Sequence, residues 1–243
     1  MDALSLYRAG QLAAAIEALG EELKKQPLDA KRRIFLFELL CFAGDFDRAE
    51  KHLNVVSDAS PQAAAGAMLY RSALHAERER QDMFARGALP QGSAHASPAG
   101  ELNGQRFTGL TDADPRIGAN LEAFIAGSYT WIPFAYIESI ETEPPKRLRD
   151  LLWLPAILHT TSAFRLQDLG EVLLPVIAPL SWKDSDDAVR LGRNTVWNDD
   201  PEYGQLPSGQ KLLIFGEEER PFLEIRKLTF DHAGERAESA TAR

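Results

Sequence analysis

His159, Thr160, Thr161 and Ser162 set hydroxyls beside an imidazole, the side chains from which a nucleophile and its base are built. A hydrolase also needs an acid to orient the base and donors for the oxyanion, and no G-x-S-x-G supplies that setting. The run reads as strand and turn polarity. Asp184, Asp186 and Asp187 could gather around a cation, but they lack the Gly and the distal Glu that a calcium loop needs at fixed offsets, so a solvated loop is expected. His52, His75, His95, His159 and His232 share no metal-ligand spacing. Glu217, Glu218 and Glu219 read as a turn between strands. No phosphate-binding loop, dinucleotide fingerprint or H-E-x-x-H is present. No catalytic, cofactor-binding or metal-ligating residue is therefore expected. A hydrolase in the C-terminal half stands only as an alternative that a deep pocket would have to support.

Other side chains point to recognition rather than reaction. Arg147 and Arg149 flank Leu148 beside Asp150 and Trp153, and Arg190 and Arg193 precede Trp197. Two readings are open: internal ion pairs with tryptophans filling a sheet core, or a partner surface, where Trp, Tyr and Arg are enriched. The candidate partner-binding set is Phe35, Leu39, Phe42, Trp131, Arg149, Trp153, Arg193 and Trp197. Cys41, the only cysteine, lies in an apolar helix and reads as a small core residue. It can form no internal disulfide, which suits a reducing, cytoplasmic setting.

These residues need elements to hold them. The chain has 243 residues, 44% of them hydrophobic, which is enough to build a core. Its net charge of −9 argues against a general nucleic-acid binder, whose affinity comes from cations neutralising phosphates. No apolar run reaches the length of a membrane span, and Asp2 and Gln11 argue against a signal peptide.

The first sixty residues repeat at an offset of 34. Leu6 falls on Leu40, Ala9 on Ala43, Gly10 on Gly44, Leu12 on Phe46, Ala15 on Ala49, Leu19 on Leu53 and Pro27 on Pro61. That period belongs to the tetratricopeptide repeat, a helix–turn–helix unit. Asp29, Asp45 and Ser60 stand where helix N-caps are wanted, with Pro61 at a first helical position. A further helix is predicted over 62–86, its far half charged. Two units and one helix make a short array, so the block is expected to dock on the rest of the chain. Such repeats build surfaces for partner helices or peptides.

Residues 87–105 are rich in Gly, Pro and small side chains and read as a linker, with His95 solvated. Beyond it, Asp114-Pro115 is read as opening a helix with Ile117, Leu121, Phe124 and Ile125 on its apolar side and Gly127 at its end. Strands are predicted within 130–140, 148–159, 171–180, 211–215 and 222–230; the prolines of 171–180 suggest an edge strand or bulge. The fold class is α+β: tetratricopeptide-like helical repeats over 1–86, a linker over 87–105, and a strand-rich, mostly antiparallel, partly barrel-like domain with at least one helix over 106–231. A polar, frayed tail is expected over 232–243.

The second half contains DPRIGANLEAFIAG (114–127), YTWIPF (129–134), EPPKRLRDLLWLPA (143–156), GEVLLPV (170–176), LGRNTVW (191–197), GQKLL (209–213) and FLEIR (222–226). In that order these strings resemble the ImpE/TagJ family of type VI secretion accessory proteins, over nearly all of 105–231. The resemblance implies a non-enzymatic cytoplasmic protein that binds the N-terminal helix of the small contractile-sheath subunit (TssB-like). It also implies a link to sheath recycling by the AAA+ ATPase ClpV. Here the family's longer middle helical stretch is replaced by the short linker. No cofactor, nucleic acid or membrane is implied. The alternative is a general tetratricopeptide adaptor or chaperone for another complex.

Overall fold

The fold is that of a computed structural model, in which residues 1–90, 96–164 and 169–232 are described. Five helices come first: α1 (Ala3–Arg8), α2 (Leu12–Lys25), α3 (Ala30–Phe42), α4 (Phe46–Ser57) and α5 (Pro61–Arg86). The expected caps are made. The carboxylates of Asp29 and Asp45 accept from the N–H groups of Arg32 and Arg48, and the Ser60 hydroxyl accepts from Ala63 N–H. Gly10 and Gly44, one repeat apart, turn α1 into α2 and α3 into α4 with φ of +80° and +72°, a region that favours glycine. Ala15 and Ala49 are fully buried, which lets the paired helices approach closely. α3 is buried on all sides from Leu36 to Phe42, as a helix packed between neighbours must be. No described helix is long and apolar enough to cross a membrane.

The remaining elements are β1 (Gly100–Leu102), β2 (Gln105–Phe107), β3 (Thr111–Asp112), β4 (Asn120–Ile125), β5 (Ser128–Pro133), β6 (Ile137–Thr142), β7 (Trp153–Thr160), β8 (Glu171–Pro175), the short helix α6 (Asp187–Arg190), β9 (Thr195–Asp200), β10 (Gly204–Gly209), β11 (Leu212–Phe215), β12 (Glu218–Pro221) and β13 (Lys227–Phe230). Eight strands pair antiparallel in the order β2-β1-β13-β6-β7-β8-β4-β5. A second sheet runs β12-β11-β3, and β9 and β10 form a separate hairpin. Alternation decides the faces. Leu154, Ala156 and Leu158 of β7 join Leu213, Phe215 and Phe222 in a core between the two sheets. Trp153 of the same strand points the other way, into a core built mostly of helical residues.

Four expectations need correction. The sheet does not close into a barrel: β2 and β5 are free ends of the order, and β5 turns its outer side to α5, where Tyr129 N–H donates to Glu79 at 3.5 Å. The helix read over 114–126 is a single turn followed by β4. Asp114 C=O accepts from Ile117 and Gly118 N–H, and then Leu121 and Ala123 alternate with Glu122 and Phe124 across the sheet. The apolar spacing suited either element, and pairing with β5 and β8 selects the strand. β8 is interior, between β7 and β4, despite its proline; Pro175 is its last residue, and it meets β4 at the single pair Phe124↔Leu173. Finally, β1 and β2 begin inside the predicted linker, joined by a tight turn at Asn103-Gly104, both at positive φ.

Smaller shifts follow the same logic. Phe222–Glu224 is a 3-10 turn before β13, and Glu218 and Glu219 belong to β12 rather than to a turn. Residues 233–243 of the predicted tail, and His95 of the linker, lie outside the described residues; His232 itself bonds Ile137 C=O through Nε2 at 2.6 Å.

Candidate functional site

The seam between the helical layer and the eight-stranded sheet gathers most of the unusual chemistry. Along α5, Ala73, Ala76, Glu77, Arg80, Gln81 and Phe84 recur at three- and four-residue spacing and are all buried. The half of the helix that reads as charged is the contact face. Glu122 rises from β4 to meet it, because one residue of strand alternation carries it to the helical side of the sheet. Arg80 donates to Glu122 Oε1 at 2.7 Å and Oε2 at 3.1 Å, to Glu77 at 3.1 Å and to Ile177 C=O at 2.9 Å. The Lys211 ammonium donates to Glu122 and, at 2.8 Å, to Asp112. Tyr129 hydroxyl donates to Glu122 and accepts from the Trp131 indole N–H. Trp153 Nε1 donates to Glu77 at 2.8 Å.

Three carboxylates and two cations are thus held out of water, where unpaired charge is very costly. Burial alone would raise the Glu122 pKa, but Arg80 and Lys211 outweigh it and hold the group at about 2. For Asp112 burial wins, reinforced by the Glu122 charge and opposed by Lys211, and the pKa is pushed up to about 6. Burial opposes the charge on Arg80 and Lys211, yet their acids raise both above their usual values. The cavity beside this network is about 30 Å³ and is lined by Cys41, Glu77, Arg80, Gln81 and Trp182 among others. That is room on the scale of one water and not of a substrate. The network is a clasp between layers.

Further contacts extend it. Gln81 accepts from Leu180 N–H at 2.9 Å and Trp182 Nε1 at 3.2 Å. Gly44 lies flat on Trp182: an added Cβ would stand 2.5 Å from that ring. Asp187 accepts from Ala13 N–H at 3.1 Å, and Asp186 caps α6 through Ala188 N–H. The acidic run read as a solvated loop therefore fastens the loop and reaches α2. Glu38 of α3 is buried near Tyr70, Arg149 and Asp150; burial pushes its pKa up to about 7, with Arg149 and the Tyr70 hydroxyl opposing.

The eight candidate residues divide by position. Leu39, Phe42 and Trp153 are interior, at 0%, 2% and 2% exposure, so no partner meets them while the layers stay together. Phe35 packs edge-on to Tyr7, with ring centroids 5.8 Å apart. Trp131 stands half-buried beside Phe84 and Tyr129. Arg193 is exposed but donates to Arg8 C=O at 2.9 Å and to Tyr7 C=O, binding the sheet domain to α1. Arg149 lies over the Tyr70 ring at 5.0 Å and 3.6 Å from Asp150. Trp197 sits in the outlying β9–β10 hairpin opposite Pro207. The residues that sequence reasoning missed are Glu77, Arg80, Glu122, Lys211 and Asp112. The available signal was a charged residue inside an apolar strand run, Glu122 in NLEAFI and Lys211 before LLIF. Among the described residues no group of histidines, cysteines and acids is placed to hold a metal.

A short helical repeat array clasped onto an open antiparallel sheet defines a two-layer tetratricopeptide-type protein. Comparison with known proteins refines this. Residues 6–73 match the tetratricopeptide repeat family and residues 104–229 match the ImpE protein family. The type VI secretion system accessory component TagJ of Pseudomonas aeruginosa is 33% identical, over 95% of this chain and 92% of its own. The crystal structure of protein VPA1032 from Vibrio parahaemolyticus shares the fold, with a TM-score of 0.82 and 24% identity over 96% of this chain and 98% of that one. The chain belongs to the ImpE/TagJ family of type VI secretion accessory proteins.

Proposed function

We propose that this protein is a non-enzymatic adaptor of a type VI secretion system. It binds the N-terminal helix of the small, TssB-like sheath subunit in the cytoplasm and so links the sheath to assembly or to ClpV-dependent recycling. The observation that carries the reading is that likeness to TagJ runs through both layers, helical repeats and sheet domain alike. The repeat layer is an element of protein recognition, and apolar burial would supply most of the affinity for an amphipathic helix. The side formed by α1, α3 and α5 is taken up by the chain's own sheet domain, through Tyr7, Phe37, Glu77 and Arg80. The partner helix is therefore received outside that contact. Pull-down of the small sheath subunit with and without its N-terminal helix tests the function. Retention of the intact subunit alone is expected, and equal recovery of both forms rejects helix recognition.

A further inference from the structure

The repeat layer ends on an unpaired helix. α1 packs on α2 and α3 on α4, each pair forming one unit, whereas α5 opens a third unit without a second helix among the described residues. The sheet domain covers the C-terminal half of α5 through Glu77, Arg80, Gln81 and Phe84. Its N-terminal half stays open. From Pro61 to Tyr70 the sequence PQAAAGAMLY contains no charge. Yet Ala65, Gly66, Met68 and Leu69 face solvent, Met68 at 69% and Leu69 at 47% exposure. A solvated helix face normally carries polar and charged side chains.

The open face continues onto the sheet. Leu69 and Tyr70 line one cleft with Pro155, Glu171 and Leu173 across the seam. Pro155 and Glu171 also line a groove of about 600 Å³ along the outer side of β7, past Ile157, which is 40% exposed. Two cations enter no ion pair among the described residues: Arg147, and Arg71, which donates to the Asn54 amide oxygen at 2.8 Å. Glu171 is the exposed acid at the opposite side of the seam.

We infer that this face receives an amphipathic α-helix of a partner protein, which packs on α5 as the missing second helix of the third unit. The inference rests on the partner-helix reading above and names its surface. The open stretch from Pro61 to Tyr70 spans about 15 Å at 1.5 Å per residue, so nearly three turns of the incoming helix make contact. Its apolar stripe covers Met68, Leu69 and Ile157. Acidic residues beside that stripe meet Arg71 and Arg147.

The test is the affinity of the full chain for a fluorescently labelled peptide of the small sheath subunit's N-terminal helix, read by anisotropy. The double variant Met68→Asp, Leu69→Asp is expected to bind at least tenfold more weakly. Leu28→Asp, at an exposed apolar residue in the α2–α3 turn, is expected to bind as wild type does. Should the double variant lose its helical circular-dichroism signal, Gly66→Leu replaces it, since an added Cβ at Gly66 meets nothing in the free chain. Wild-type affinity in the open-face variant overturns the surface while leaving helix recognition standing. If wild type itself fails to bind the peptide, helix recognition falls and this inference with it.

Discussion

Removing Arg80 tests the clasp most severely. Arg80→Met keeps an unbranched apolar chain of similar length but deletes four hydrogen bonds, two to Glu122 and one each to Glu77 and Ile177 C=O. Glu122 retains Lys211 and Tyr129, whereas Glu77 loses its only cation among the described residues and keeps the Gln81 amide and the Trp153 indole. Breaking a buried pair by removing one partner costs about 3–5 kcal/mol, because the remaining charge stays buried. With an urea m-value of about 2.5 kcal/mol/M, that lowers the unfolding midpoint by roughly 1.5 M. Arg80→Met, Glu122→Met removes one charge of each sign, so it is expected to recover part of the loss. Equilibrium urea denaturation, followed by helical circular dichroism and by tryptophan fluorescence, gives both numbers. A loss below about 1 kcal/mol in the single variant would show that water compensates Glu77 and that the network does not hold the layers together.

Other expectations concern pH, turns and helix propensity. Glu38 has a folded pKa of about 7 against 4.5 for the free group. The folded chain holds this proton more tightly, so the site favours folding fully below the free pKa and loses that contribution as pH rises towards 7. Glu38→Gln should flatten the decline by up to about 3 kcal/mol between pH 4.5 and 8; parallel stability profiles for the two proteins would refute the assignment. Gly44→Ala places a Cβ 2.5 Å from the Trp182 ring at a φ of +72°, so a fall in Tm matching a loss of about 2 kcal/mol or more is expected. Gly66→Ala meets open space inside a helix and should raise stability by about 1 kcal/mol, visible as a higher Tm. An unchanged Tm would mean that Pro61–Tyr70 is not helical in solution.

The helical layer was legible because its signals are local. A 34-residue period, Asp and Ser caps and paired alanines each act within a turn or two, and they recur where the structure has them. The sheet domain was legible only in outline, because strand pairing is decided at a distance. LEAFI suits a helix by spacing and becomes β4 by contact with β5 and β8. The clasp was hidden for the same reason. Glu77, Arg80 and Gln81 look like an ordinary charged helix surface until Glu122 and Lys211, 42 and 131 positions beyond Arg80, are brought against them. Of the aromatic and arginine residues proposed as partner contacts, several are used internally. Trp153 and Arg193 join the two layers, while the exposed Met68 and Leu69 lie outside the candidate set.

Hydrogen exchange of the full chain, alone and with the small sheath subunit, tests the central claim most directly. The account predicts added protection across 61–72 and the outer edge of β7, with α3 and the Arg80–Glu122 contact unchanged. Protection appearing instead in α3, or the two layers opening when the subunit is added, would contradict it.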